Sequence, residues 1–153
     1  MIRTNRQTLL QATVICCVCI GYLEGLIAND MVFDFLTSRE IAEKYYCDLL
    51  GSFQTYWGLA RIVIPCMIIT FTTVFVGMCH PNSSYRKLQR FIIGIFVFLT
   101  IPLLSVSIKT CAAACVHPAT IPLDMHLIRA VHVLLFTLMS TCLFLQTKIC
   151  VLV

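Results

Sequence analysis

The chain has 153 residues, 59% of them apolar and 12% charged, with a formal net charge of +4 and a mean hydropathy of +0.93. These proportions exclude an ordinary water-soluble domain and point to an integral membrane protein. The small positive excess supplies no argument for nucleic-acid binding, so no nucleic-acid partner is expected.

Four apolar segments, at about 8–28, 59–78, 91–110 and 127–147, each match the length of a membrane crossing. A crossing must satisfy its backbone hydrogen bonds internally, and a helix of about 20 residues spans the roughly 30 Å hydrocarbon core. The prediction is an all-α, four-span transmembrane bundle forming a single integral membrane domain over residues 1–153.

Arg3 and Arg6 precede the first apolar run, as they would in a leader, but no small-x-small cleavage site clearly follows it. The run is therefore expected to stay as span one. Within it Gly21 and Gly25 recur four apart, a spacing that permits close helix contact, inside the chain or with a partner. Glu24 lies between them, and a carboxylate in hydrocarbon demands a partner. Candidates at similar depth are Arg61 at the start of span two, Lys109 at the end of span three, and Arg129 and His132 at the start of span four. The structural reading pairs Glu24 with Arg61 or Arg129. The functional reading makes Glu24, Arg61, Lys109, Arg129 and His132 an outer-leaflet polar cluster able to receive an anionic ligand.

The first connection carries Asp30, Asp34, Glu40, Glu43 and Asp48 among apolar residues. Thr37 and Glu40 have capping-box spacing and Gly51 can end a helix, which predicts a short helix in this extracellular or lumenal connection. Ile41, Tyr45 and Leu49 share one face of it. Together with the boundary aromatics Tyr56 and Trp57 they form a candidate partner surface, against simple packing over the chain's own spans.

Span two holds Pro65 and span three Pro102, each able to remove a helix bond and bend the path. Between these spans lies the turn around Pro81 and Asn82. Asn82-Ser83-Ser84 is a formal glycosylation acceptor, but the expected topology puts it in the cytosol, so it is read as a chance match. Arg3, Arg6, Arg86, Lys87, Arg90 and Lys148 crowd the short segments on the side shared by both termini. Their density places both termini in the cytosol, in the plasma membrane or an endomembrane.

Ten cysteines do not imply five disulfides here. Cys16, Cys17, Cys19, Cys66 and Cys142 fall within spans, and Cys79 and Cys150 near the cytosolic boundary. Cys47, Cys111 and Cys115 are the external thiols. One bridge is expected, from Cys47 to either Cys111 or Cys115, with a short Cys111–Cys115 bridge as the alternative. No Cys-x-x-Cys pair supports a thiol oxidoreductase. His80, His117, His126 and His132 are too dispersed to define a metal site.

With no catalytic constellation, metal set or cofactor motif, the expectation is a non-enzymatic accessory or assembly subunit stabilising a larger membrane-protein complex. The expected partner is another integral membrane protein, with membrane lipids and further copies of the chain as other neighbours. The alternative is a small solute transporter or oligomeric channel subunit using the outer polar site.

Overall fold

The structure is a computed structural model that describes residues 6–55, 60–79, 82–116 and 122–152. Among these the regular elements are all helical: α1 Arg6–Leu36, α2 Arg39–Thr55, α3 Ala60–Gly77, α4 Ser83–Gly94, α5 Ile101–Val116 and α6 Met125–Leu152. A π-helical segment, Ile95–Thr100, joins α4 to α5 without a break. Three helices are long and apolar enough to cross a membrane, over Gln7–Leu36, Ser83–Val116 and Met125–Val151. A shorter apolar helix covers Ile64–Gly77.

The π segment has a local cause. Pro102 lacks an N–H, and its ring crowds the carbonyl four residues earlier, at Phe98. One residue before it, the Ile101 N–H bonds the Phe96 carbonyl, five residues back. The widened turn absorbs the proline without ending the helix.

Helix α1 extends well past residue 28, where span one was expected to end, so that Asp30 and Asp34 lie on its last turns instead of in a loop. The expected Thr37 cap also shifts. Thr37 Oγ1 donates to the Phe33 carbonyl at 2.8 Å, closing the end of α1. The first bond of α2 is instead Ala42 N–H to the Ser38 carbonyl. Gly51 lies inside α2, which continues to Thr55.

Polar side chains start the later helices. Asn82 Oδ1 accepts from the Ser84 and Tyr85 N–H groups at 3.0 and 3.3 Å, so the residue read as a chance glycosylation acceptor is the N-cap of α4. Asp124 Oδ1 accepts from the His126 and Leu127 N–H groups, both at 3.1 Å, at the start of α6.

Helices α1 and α6 form the most extensive pairing and run antiparallel. Cys17 meets Cys150, Glu24 meets Ser140 and Asp34 meets His132 along it. One apolar core joins α1, α3, α4 and α6 through Cys16, Ile20, Val74, Ile92, Met139 and Ile149. Gly77 permits the close approach of α3 to α4, because a Cβ there would meet Gln89 Cγ at 2.8 Å and Tyr85 Cε1 at 2.9 Å. A second core sits under α2, where Ala42 and Tyr46 pack with Cys111, Ala114, Leu123 and Ile128. The disulfide Cys47–Cys115 ties α2 to the end of α5, and Cys111 stays a free, buried thiol.

Candidate functional site

Where the ends of α1 and α6 meet under α2, the chain builds a buried polar centre around Asp34. Its carboxylate is fully buried. Tyr46 Oη donates to Oδ1 at 2.5 Å, and His132 Nδ1 lies 2.5 Å from Oδ2. A carboxylate can only accept, so the Nδ1 tautomer that carries the proton is the one this contact selects. His132 is itself 6% exposed. Four residues before Asp34, Asp30 Oδ1 accepts from Tyr45 Oη at 3.1 Å. Adjacent tyrosines of α2 thus serve adjacent turns of α1.

Arg129 completes the centre by a backbone contact. The last carbonyls of α1 have no partner within the helix, and α1 has no basic residue in its last turn. Arg129 Nε donates to the Asp34 carbonyl at 2.9 Å, placing a cation at the negative end of the helix dipole. Its guanidinium also lies 5.6 Å from the Phe35 ring centroid. The rings of Phe33, Tyr45, Tyr46 and His132 continue from one to the next at centroid distances of 4.3, 5.2 and 6.0 Å.

These surroundings hold the α2 phenols neutral. Burial, then the charge and hydrogen bond of Asp30, push the Tyr45 hydroxyl up to about 12. Burial, then the Asp34 hydrogen bond and charge, push Tyr46 up as well. A raised phenol pKa means that the stability contributed by Tyr45 is intact below about pH 10 and is lost as pH rises toward the folded value. Melting curves of the native chain and Tyr45→Phe are therefore expected to keep a constant separation up to about pH 10 and to converge above it. Parallel curves to pH 12 would contradict the assignment.

Of the five residues grouped in the sequence as an outer polar cluster, Arg129 and His132 are the ones that meet here among the described residues. Lys109 is exposed on α5. Glu24 lies ten residues before Asp34, about 15 Å along α1, and accepts a hydrogen bond from Ser140 Oγ at 2.5 Å. It is not paired with Arg129, whose Nε is engaged by Asp34. The Arg61 side chain, with Tyr56 and Trp57, lies outside the described residues. The stripe read as a partner surface divides: Ile41 is 57% exposed, whereas Tyr45 and Leu49 pack against the core beneath α2. The buried edge is one residue further along, at Ala42 and Tyr46.

Sequence reading missed Asp34, Tyr46 and Ser140. Asp30 and Asp34, four apart, do face one way on a helix, but acids after an apolar run read as a solvated loop. Ser140 carried no signal beyond lying in a span.

The centre can orient helices and hold protons, but its donors already face a carboxylate, occupying the place an anionic ligand would take. Among the described residues, no three His, Cys, Asp or Glu side chains converge where a metal ion would sit. Beside Pro102 an open groove of about 440 Å³ runs between α5 and α6, lined by Phe98, Leu103, Val106, Leu134 and Leu138. Its one polar side chain, Thr137, donates to the Val133 carbonyl. Comparison with family models, curated proteins and solved structures found no match for this chain.

Proposed function

We propose that the chain is a non-enzymatic accessory or assembly subunit of a larger membrane-protein complex. It crosses the bilayer four times with both termini in the cytosol. The stretches from Arg90 to Lys109 and from Arg129 to Lys148 enclose no further Asp, Glu, Lys or Arg, and each encloses about 27 Å of helix. This matches the hydrocarbon core, with basic residues at both boundaries. Helix α3, with 18 residues, has about the same length and makes the fourth crossing. The Cys47–Cys115 bridge belongs on an oxidising face, extracellular or lumenal, which agrees with the crowding of basic residues at the opposite end.

The observation that carries the assembly reading is the depth of Glu24. Cys17 faces Cys150, beside Lys148 at the inner boundary, and Asp34 faces His132, beside Arg129 at the outer one. Glu24 lies seven residues from the first and ten from the second, about 10 and 15 Å, near the middle of the hydrocarbon. Its side chain is only half-buried, with Ser140 as hydrogen-bonding neighbour. Next to it Gly25 is exposed, and a Cβ added there would meet nothing within 4 Å. An ionisable group incompletely covered at this depth is costly against lipid and favourable against another polar helix. A partner helix seated on Gly25 with a hydrogen-bonding or basic side chain at mid-depth would cover it.

Purification in mild detergent tests this. Glu24→Leu is expected to reduce co-purifying partner at least tenfold while the subunit keeps its own melting transition. Undiminished recovery of the partner would contradict the reading. The transporter or channel alternative draws on the buried Asp34–His132 pair, since ionisable residues at such positions often mark transport routes. The internal satisfaction of that pair favours the structural role.

A further inference from the structure

Two of the eight free cysteines face each other across the main helix pair. Cys17 Sγ of α1 and Cys150 Sγ of α6 are 3.9 Å apart, and both side chains are partly accessible. Cys150 is two residues beyond Lys148, which marks the inner boundary. Antiparallel pairing brings Cys17 to the same level although it is well inside α1, whose preceding turns carry Gln7, Thr8 and Gln11 beyond it. On the topology proposed above, the pair lies at the inner boundary with both sulfurs partly accessible, unlike Cys16 and Cys142, which are buried completely.

We propose that Cys17 and Cys150 form a reversible dithiol–disulfide site that staples the inner ends of α1 and α6 when the cytosolic side becomes oxidising. The co-substrate class is a low-molecular-weight disulfide, with oxidised glutathione as the example. The Cys150 thiolate attacks one glutathione sulfur, breaking that S–S bond and releasing one reduced glutathione, which takes up the proton lost by Cys150. Cys17, giving up its proton, then attacks Cys150 Sγ and expels the second glutathione, which takes up that proton. Two protein thiols are oxidised by two electrons, and one glutathione disulfide is reduced to two thiols. In a reducing cytosol the site rests as the dithiol. The two sulfurs already face each other across the α1–α6 pair, so the bond closes between existing helix neighbours. The Cys47–Cys115 bridge restrains the outer end of the bundle permanently, and the inner pair adds a conditional restraint at the other.

The test uses the full chain in mild detergent, without reductant. Oxidised glutathione is added until the exposed Cys79 carries glutathione, and remaining thiols are capped with N-ethylmaleimide before digestion and mass spectrometry. The expected product is a peptide pair joined through Cys17 and Cys150, with maleimide lost from both. In Cys17→Ser, glutathione is expected to stay on Cys150. Maleimide on both cysteines of the native chain, glutathione persisting on Cys150 when Cys17 is present, or a bridge from Cys150 to any other cysteine would overturn the proposal.

Discussion

Asp34→Ala is expected to destabilise the bundle by about 3–5 kcal/mol, the range for breaking a buried, hydrogen-bonded pair by removing one partner. Two donors lose their partner, because Tyr46 and His132 are left facing a cavity, while Arg129 keeps its bond to the backbone carbonyl of residue 34. His132→Ala is expected to cost a similar amount, and the two losses should not add, because the second substitution removes a group already stranded by the first. Tyr46→Phe deletes one donor and is expected to cost about 1–2 kcal/mol. Denaturant titration in detergent micelles measures these values. A structural centre also predicts that Asp34→Leu combined with His132→Leu recovers most of the loss, since an apolar pair needs no compensation. Indifference of stability to Asp34→Ala would show that the centre does not hold α1, α2 and α6 together.

Loss of the Cys47–Cys115 bridge is the second large effect. The cysteines are 68 residues apart in sequence, and closing so long a loop has a chain-entropy value of about 4 kcal/mol. The unfolded reference in a membrane keeps its helices inserted, so the released chain gains less freedom than a fully unfolded one. The Cys47→Ser/Cys115→Ser chain is therefore expected to lose about 2–4 kcal/mol. The loss should concentrate in α2: amide exchange over Arg39–Thr55 should quicken more than exchange in α6. Equal acceleration in both helices would instead place the bridge in the global fold.

Hydropathy made the apolar helices legible in the sequence because the bilayer imposes length and composition locally. It misjudged the end of α1, because Asp30 and Asp34 look solvated until Tyr45, Tyr46 and His132 are brought to them. His132 is 98 positions from Asp34, and nothing local to either residue records the pairing. The basic residues at the start of α6 were legible as a polar group, yet Arg129 acts on a helix-end carbonyl, an acceptor every residue type possesses. Glu24 was legible as an anomaly, while its hydroxyl neighbour Ser140 was not, because serine is common in membrane helices. For Cys47, Cys111 and Cys115, the expected topology reduced the choices, and the crossing of α2 over the last turn of α5 selected Cys115 over Cys111, one turn earlier.

The assembly role is tested most directly by placing a photo-crosslinking amino acid at Tyr22 on the open face of α1, 39% exposed, and separately at Phe98 on the π segment, 77% exposed. After irradiation in native membranes, adducts are identified by mass spectrometry. A heterotypic membrane-protein adduct from Tyr22, lost on Glu24→Leu and absent from Phe98, is the expected result. Only lipid or self-adducts from both positions would contradict the accessory-subunit assignment.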